Sequence, residues 1–384
     1  MNAFDDKTVD QTSWAWLNLF SMKPSRATKY QEGANYAQPL HNYLYNGSWW
    51  IDQVNEGALY TVNTTGVKCM DSLSGSVVGA GVFKVRRLDD PDNVAFKCCE
   101  ITCTTADASI AATDRAVVVF TLEGFSVADL MLGTSLAETI TINFKFKTNV
   151  TGVYGVSLAN SAGNRIYATT FTVSSTSETE YSVTIPLDTS GTWLYTTGIG
   201  LRVRFVLAAG STFQGTQNTW SSSDIYTSAS QANFLSNTAN ICYIKNIQLV
   251  KGSVAPKMRT QTYDDSLRKC QRYFEKSFEQ GIAPAQNIGV NTGETIFYAA
   301  RAGATVEAWQ VEYGVTKATT PTNILYNVSA ANAQIRNASS GADFTGSAGG
   351  TGGSTKRMFI NGTGDAGKAS GHLCRVHWTS DCRL

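Results

Sequence analysis

Alternation of apolar and polar residues dominates this chain from Tyr43 onward. In Thr139–Thr148 (TITINFKFKT), Ile and Phe alternate with Thr, Asn and Lys. A period of two places the two sets on opposite sides of a strand, which indicates an antiparallel strand with one buried side. Residues 201–207 repeat the pattern, with Leu201 and Val203 facing inward and Arg202 and Arg204 facing outward.

Further strands are predicted by the same pattern, separated by short polar turn segments. They lie at 80–86, 95–102, 116–122, 155–158, 166–173, 181–185 and 241–250. Many short strands without alternating long helices predict an all-β fold. We therefore expect an antiparallel β-sandwich, a jelly roll, over residues 42–260.

The pattern changes in SLRKCQRYFEKSFEQ, residues 266–280. Apolar residues there recur every three or four positions, which predicts an amphipathic helix of about four turns. Asp264, Asp265 and Ser266 occupy the positions of an N-cap and an acidic first turn. We expect residues 261–280 to connect the sandwich to a smaller domain through this helix.

Strands resume after the helix and predict a smaller C-terminal β-domain over residues 281–384. They lie at 294–300, 304–311, 323–328, 333–338, 357–361 and 373–379. Residues 341–355 (GADFTGSAGGTGGST) predict a flexible loop or a long hairpin tip.

Residues 1–41 show no clear period and predict an arm. Trp14, Trp16 and Phe20 would be costly to leave in water, so they favour docking onto a partner or packing back onto the chain's own body.

Charge and composition narrow the function. The chain has 384 residues, 16% of them charged, and a formal net charge of +1. That balance argues against nucleic acid or an anionic membrane as the partner. No apolar run is long enough to span a bilayer, and the N-terminus lacks the features of a secretory signal. The eight cysteines are unevenly scattered, so we expect buried thiols in a protein made in a reducing cytoplasm.

Catalytic chemistry is not indicated. The histidines are His41, His372 and His377, and neither Gly-x-Ser-x-Gly nor His-Glu-x-x-His occurs. Glycoside hydrolysis needs only two carboxylates, but the sequence nominates no pair. We predict that the protein is not an enzyme and uses no cofactor.

Metal and phosphate sites are also disfavoured. His372, Cys374, His377 and Cys382 have the residue types of a zinc site without its spacing. Residues 89–93 (DDPDN) suit Ca²⁺ in type, but such a run is more typical of an exposed turn. Residues 362–370 (GTGDAGKAS) resemble a phosphate loop but carry Ala369 where Ser or Thr binds Mg²⁺, so we expect a glycine-rich turn.

The strongest binding signal is the stretch from Ser211 to Asn240, hereafter the 211–240 loop. It combines many short polar residues with Phe213, Trp220, Tyr226 and Phe234. Aromatic faces stack on sugar rings and polar side chains bond hydroxyls, so this composition favours a neutral glycan. The alternative is a loop whose aromatic residues pin it to the sandwich or to a neighbouring subunit. Trp49, beside Trp50, is a second glycan-binding candidate.

Several segments, in order, resemble a family of bacteriophage fibre proteins, and the resemblance covers about residues 42–384. They are 42–53 (NYLYNGSWWIDQ), 140–158 (ITINFKFKTNVTGVYGVSL), 181–193, 201–212, 296–309 and 378–384 (WTSDCRL). The most similar segment is 244–278, where an Ile-x-x-x-Gln-Leu-x-x-Gly strand precedes a helix with a Cys-Gln-Arg-Tyr core. Gly303 and Cys382 depart from the usual Pro and Ala.

The resemblance implies a virion fibre or tail-tip protein with a carbohydrate-binding-like jelly roll, which forms a homotrimer and contacts host-surface glycan without catalysis. In the trimer, Leu267, Cys270, Phe274 and Phe278 would pack around the threefold axis or tie the domains together. The arm would attach to other virion proteins through Trp14, Trp16 and Phe20. The alternatives are a head fibre, decoration or adaptor protein with a structural role, and a polysaccharide depolymerase.

Overall fold

The computed structural model describes residues 41–258, 261–303, 305–348, 353–363 and 367–384. Asn42–Leu384 forms one compact unit. Trp14, Trp16 and Phe20 lie outside the described residues, so their role in virion attachment stays a prediction.

Between residue 41 and α1, the residues that the structure describes form thirteen strands, β1 to β13. In chain order they are Tyr60–Val62, Val67–Lys68, Ser74–Val78, Val82–Asp90, Asn93–Thr105, Arg115–Glu123, Thr139–Thr148, Gly152–Ala159, Ile166–Val173, Thr179–Pro186, Ile199–Ala209, Trp220–Ser221 and Ile241–Lys251. The alternation in the sequence located β7 and β9 to the residue, because both strands bury one side in the core.

These strands form two antiparallel sheets. Sheet I has the order β1-β4-β5-β13-β7-β10, and sheet II has the order β12-β9-β8-β11-β6-β3-β2. The two sheets face each other across one hydrophobic core, where the rings of Phe144 from sheet I and Phe205 from sheet II meet edge to face at 4.9 Å. The fold is therefore all-β, an antiparallel β-sandwich of the jelly-roll type, as predicted.

The helix, α1, covers Tyr263–Gln271 and is shorter than predicted. The hydroxyl of Thr262 accepts a hydrogen bond from the Asp265 backbone N–H at 3.2 Å, and Asp264 and Asp265 lie in the first turn. The prediction that the helix continues to residue 280 was wrong. Phe274–Lys276 forms a strand, because its backbone groups pair with the last strand of the chain.

The C-terminal part contains strands β14 to β21, which form an eight-stranded antiparallel sheet, sheet III. In chain order they are Phe274–Lys276, Thr295–Tyr298, Glu307–Glu312, Thr322–Tyr326, Ile335–Asn337, Ala342–Ala348, Arg357–Thr363 and Leu373–Asp381. Strand β21 is central, since β14, β15, β17 and β18 all pair with it. Residues 341–355 were predicted to form a flexible loop or a long hairpin tip, and the first part is not a loop: β19 pairs with β18 and with the next strand, β20, as in a hairpin, although its sequence is rich in Gly and Ser.

The residues just after α1 join sheet III to the sandwich. The buried carboxylate of Glu123, at the end of β6, accepts hydrogen bonds from Arg272 Nε at 2.7 Å and from the Tyr273 hydroxyl at 2.9 Å. The side-chain amide of Gln53 donates to the Phe274 carbonyl oxygen at 2.9 Å. Lys276 forms a buried ion pair with Glu56. Arg272 and Tyr273, from the Cys-Gln-Arg-Tyr core, therefore form direct hydrogen bonds with the sandwich.

No helix in the described part of the chain has both the length and the apolar content needed to span a bilayer.

Candidate ligand-binding cleft

Two of the predicted glycan-binding residues lie inside the sandwich. Trp49 and Phe234 have no exposed surface, and the Trp49 ring packs against Phe120 at 5.7 Å. A ring in this position cannot stack on a sugar, so the prediction is corrected for both residues. The adjacent Trp50 keeps partial exposure.

Phe213 and Tyr226 are also buried, but on the outer side of sheet II, away from the sandwich core. Their rings stack on each other at 5.1 Å. The Arg115 guanidinium lies 4.7 Å from the Phe213 ring centroid, and the Arg204 guanidinium lies 4.6 Å from that of Tyr226. Cations and a neighbouring ring occupy the faces that were predicted to bind sugar, which corrects this prediction too.

The 211–240 loop lies directly on sheet II. Gly155 on β8 allows this approach, since a Cβ atom there would lie 2.7 Å from the side chain of Thr227. The Gln231 side chain accepts from the Gly155 N–H at 2.9 Å and donates to the Val206 carbonyl oxygen at 3.1 Å. This agrees with the alternative in which the loop is pinned to the sandwich.

Trp220 is the one predicted glycan-binding aromatic residue in the loop that keeps partial exposure. Its indole N–H donates to the Pro186 carbonyl oxygen at 2.8 Å, and its ring meets Trp193 edge to face at 5.6 Å. It lies on β12, at the edge of sheet II farthest from β2.

A cleft of about 330 Å³ opens on the outer side of sheet II, across β11, β6, β3 and β2. We call it the basic cleft, and its lining residues are Gly66, Lys68, Ser74, Gly75, Ser76, Arg115, Val117, Val119, Thr121, Ile199, Arg202, Arg204, Tyr226 and Leu384. Alternate residues of β6 and β11 reach it because the other set fills the sandwich core.

Four of the lining residues have cationic side chains, and none has an acidic side chain. Lys68 donates to the backbone carbonyl oxygens of Arg383 and Leu384. Arg202 Nη1 donates to the carbonyl oxygens of Asn160 and Ser161 at 2.9 and 2.8 Å. Arg204 is only 7% exposed, and its Nη1 is buried without a hydrogen-bond partner. The cleft therefore holds a buried cation with unused donor capacity.

Burial affects the ionisation of this site. It lowers the pKa of the Arg204 guanidinium, while Tyr226 and Asp224 act in the opposite direction. Burial also lowers the pKa of Arg202, and Arg204 adds to this effect. Since the pKa of arginine is ordinarily above about 12, both side chains stay charged at neutral pH.

A second cavity, of about 360 Å³, lies beside the 211–240 loop and is lined by Ala108, Ile110, Ala112, Ala209, Gly210, Ser211, Gln214, Gln231, Ala232 and Asn233. Side-chain amides that line it form hydrogen bonds within the fold. Gln214 donates to the Ala209 carbonyl oxygen at 2.8 Å, and Asn233 donates to that of Asp107 at 2.8 Å. This cavity offers a neutral ligand few free donors, so the basic cleft is the better candidate.

The acidic turn at 89–93 binds a cation from the chain itself. Asp90, Asp92 and Glu178 converge on the ammonium of Lys245, at 2.7 Å for Asp92 and 2.8 Å for Glu178. Asp90 is buried, so the expectation of a wholly exposed turn was wrong for that residue. The ammonium of Lys245 therefore lies against the acidic turn whose residue types suit Ca²⁺.

The residues considered for zinc and phosphate have structural contacts. His377 stacks on Phe278 with ring centroids 4.0 Å apart, and its two ring nitrogens face the hydroxyls of Ser277 at 3.0 Å and Thr292 at 2.9 Å. Lys368, in the segment resembling a phosphate loop, forms a buried ion pair with Glu307 at 2.9 Å.

Three of the four residues assigned to oligomer or interdomain contact are buried within the chain. These are Cys270, Phe274 and Phe278, whereas Leu267 is half-buried. Phe274 lies on β14 and not on α1, so the four side chains do not form one helical stripe.

Comparison with known proteins gives structural likenesses only. No family model and no curated protein sequence matches the chain. The enzymatically active domain of tailspike protein 4 from bacteriophage CBA120 is similar, with 13% identity, a TM-score of 0.27, and coverage of 54% of this chain but 21% of the tailspike chain.

Carbohydrate-binding modules are also similar, again over about half of the chain. A family 11 module from Clostridium thermocellum shows 10% identity and a TM-score of 0.27, covering 51% of this chain and 98% of the module. The module TmCBM61, solved with β-1,4-galactotriose, shows 7% identity and a TM-score of 0.27, covering 55% and 99%.

The sequence placed Arg202 and Arg204 on the outer side of a strand but treated that side as solvent-facing. Their cleft was missed because nothing in the local pattern shows that the 211–240 loop covers part of this side. The available signal was a pair of arginines at i and i+2 on a central strand, followed by a loop rich in aromatic residues.

Proposed function

We propose that this chain is a bacteriophage virion fibre protein that binds a host-surface glycan without chemical conversion. The observation that carries the proposal is the basic cleft on the outer side of a jelly-roll sheet, which is lined by four cationic side chains and contains one buried donor, Arg204 Nη1, without a partner. The resemblance of residues 42–384 to phage fibre proteins supports the virion role. The site of action would be the particle surface, after synthesis in the host cytoplasm.

The absence of catalysis is part of the proposal. Hydrolysis of a glycosidic bond by the common route requires two carboxyl groups on either side of the bond. The residues lining the basic cleft include no Asp or Glu. Incubation with host polysaccharide should therefore release no new reducing ends, and measurable release would contradict this part of the proposal.

Affinity would come from repetition of weak sites across an oligomer, which we propose to be a homotrimer, and across several fibres. Light scattering on the full chain tests the trimer directly. Because Cys270, Phe274 and Phe278 are used within the chain, Leu267 is the member of that set with surface left for a second copy. Leu267→Asp should lower the measured mass if α1 lines the threefold axis.

An adsorption competition tests the function. Purified oligomer is mixed with host cells before phage is added, and unadsorbed phage is counted. Dose-dependent blocking is expected if the chain contacts the receptor. A lack of blocking by folded oligomer would overturn receptor binding.

The second candidate is a structural head-fibre, decoration or adaptor protein. The burial of Phe213, Tyr226 and Phe234 within the chain favours it over direct stacking on glycan, because stacking would require exposed loop aromatics. The same competition assay separates the two candidates, since a structural part would leave adsorption unchanged.

A further inference from the structure

We propose that the basic cleft recognises an oxyanion on the glycan, either a carboxylate of an acidic sugar or a phosphate substituent. This inference rests on the proposed function and names the substrate class of the same site. It also revises the neutral glycan expected from the loop composition.

Arg204 places an unsatisfied donor in this cleft. Its side chain is nine-tenths buried and lines the cleft, yet Nη1 has no hydrogen-bond partner. A buried donor without a partner costs free energy, and more so on a charged group. An oxyanion in the cleft would supply the missing acceptor and the opposite charge.

The arginines of the basic cleft form no direct ion pairs. Among the residues that the structure describes, no carboxylate forms an ion pair with Arg115, Arg202 or Arg204. The nearby Asp224 instead accepts a hydrogen bond from the Tyr226 hydroxyl at 3.3 Å. By contrast, the buried Lys245 is surrounded by carboxylates. Asp224 therefore offsets the charge of Arg204 without forming an ion pair with it, and the arginines of the cleft can still attract an anionic ligand.

Aromatic rings hold two arginines of the cleft in place before a ligand binds. Arg204, Tyr226, Phe213 and Arg115 form a contiguous set in which two stacked rings each hold one guanidinium over a face. A cation held over a ring face loses freedom before a ligand binds, and the fork of a guanidinium matches the two oxygens of a carboxylate or phosphate. The buried aromatic residues thus act by orienting cations.

The size of the cleft limits the ligand. A volume of about 330 Å³ lies at the lower end of the range typical of small-molecule sites, roughly 300–1,000 Å³. Ser74, Ser76 and Thr121 add hydroxyl groups along the same lining. The site therefore suits a short acidic segment of a polysaccharide, with one charged group directed at Arg204.

The experiment uses full-length oligomer and surface polysaccharide purified from host cells and immobilised for biolayer interferometry. Three forms are compared: native, carboxyl-reduced, and dephosphorylated with cold hydrofluoric acid. The protein is wild type, Arg204→Gln, Arg115→Gln or the control Arg357→Gln, which removes an exposed arginine of sheet III. Circular dichroism checks that each variant is folded.

We expect native polysaccharide to bind and one chemical treatment to weaken binding by about 10- to 100-fold. Loss on carboxyl reduction identifies an acidic sugar, and loss on dephosphorylation identifies a phosphate. Arg204→Gln and Arg115→Gln should reproduce the loss, while Arg357→Gln binds like wild type. If Arg204→Gln does not fold, Arg115→Gln and the treated polysaccharides decide the outcome.

Two negative outcomes are distinguishable. If native and both treated polysaccharides bind equally, and the cleft variants bind like wild type, the oxyanion inference is overturned while glycan binding stands. If native polysaccharide does not bind folded wild-type oligomer, the proposed glycan function fails, and this inference fails with it.

Discussion

The Arg204 guanidinium lies 4.6 Å from the ring centroid of Tyr226, on the outer side of sheet II. This contact links the 211–240 loop to the central strand β11, and it orders a cation that has no ion-pair partner among the described residues. A loop that sequence composition assigned to sugar stacking instead positions charged groups.

Replacing Tyr226 with Leu should destabilise the protein and weaken polysaccharide binding. The change removes a buried ring and its cation–π contact, so we expect the free energy of unfolding to fall by about 2 kcal/mol. Tyr226→Phe keeps the ring and should cost less than about 1 kcal/mol. Urea denaturation of both variants measures the difference. Equal losses would show that the hydroxyl, and not the ring, stabilises this site.

Replacing Glu123 with Gln should loosen the attachment of sheet III to the sandwich. Glu123 is 1% exposed and accepts from Arg272 and Tyr273, so neutralising it leaves the Arg272 charge without its partner. We expect a loss of about 3 kcal/mol in the free energy of unfolding.

Asp89→Asn is the matched control for Glu123→Gln, because it breaks the exposed ion pair with Lys97 on the sandwich and should leave the free energy of unfolding almost unchanged. Chemical denaturation compares the two variants. Similarly small losses in the free energy of unfolding for both variants would contradict the idea that Glu123 stabilises the attachment of sheet III to the sandwich.

Acid should destabilise the protein through His377. Burial lowers the pKa of His377 to about 4, against an ordinary value near 6.5, although Glu294 acts in the opposite direction. The stabilising contribution of neutral His377 is therefore complete above pH 6.5 and is lost as the pH falls towards 4. The shift corresponds to up to about 3 kcal/mol.

The measurement is the melting temperature at pH 7 and pH 4.5 for wild type and His377→Gln. The variant should be less stable at pH 7 because it loses the stacking on Phe278, but its melting temperature should change less with pH. Equal pH dependence in both proteins would rule out His377 as the acid-sensitive group.

The cysteines should be largely unreactive in the folded protein. Seven of the eight are buried and only Cys382 has intermediate exposure. Burial raises the pKa of both Cys69 and Cys98 to about 12, which suppresses the reactive thiolate. Titration with a thiol reagent at pH 8 should modify at most one thiol quickly, and all eight after denaturation. Rapid modification of several thiols would show that these sites open readily.

The sequence alone determined most strands of the sandwich, because a half-buried strand imposes a period of two on its own residues, but it missed the short strands β1, β2, β3 and β12. Thr139–Thr148 and Ile166–Val173 show this directly. It also located the acidic first turn of α1 at Asp264 and Asp265, whereas the N-cap is Thr262 and not one of the predicted residues.

Tertiary structure decided the elements that depend on pairing between residues distant in the chain. Residue 274 joins a strand because β21 offers it backbone partners, and β19 forms despite its Gly and Ser content because β18 and β20 flank it. The basic cleft also depends on contacts between residues distant in the chain. Arg115, Arg204 and Tyr226 are far apart in the chain, and only the folding of the 211–240 loop onto sheet II brings their charges and rings together.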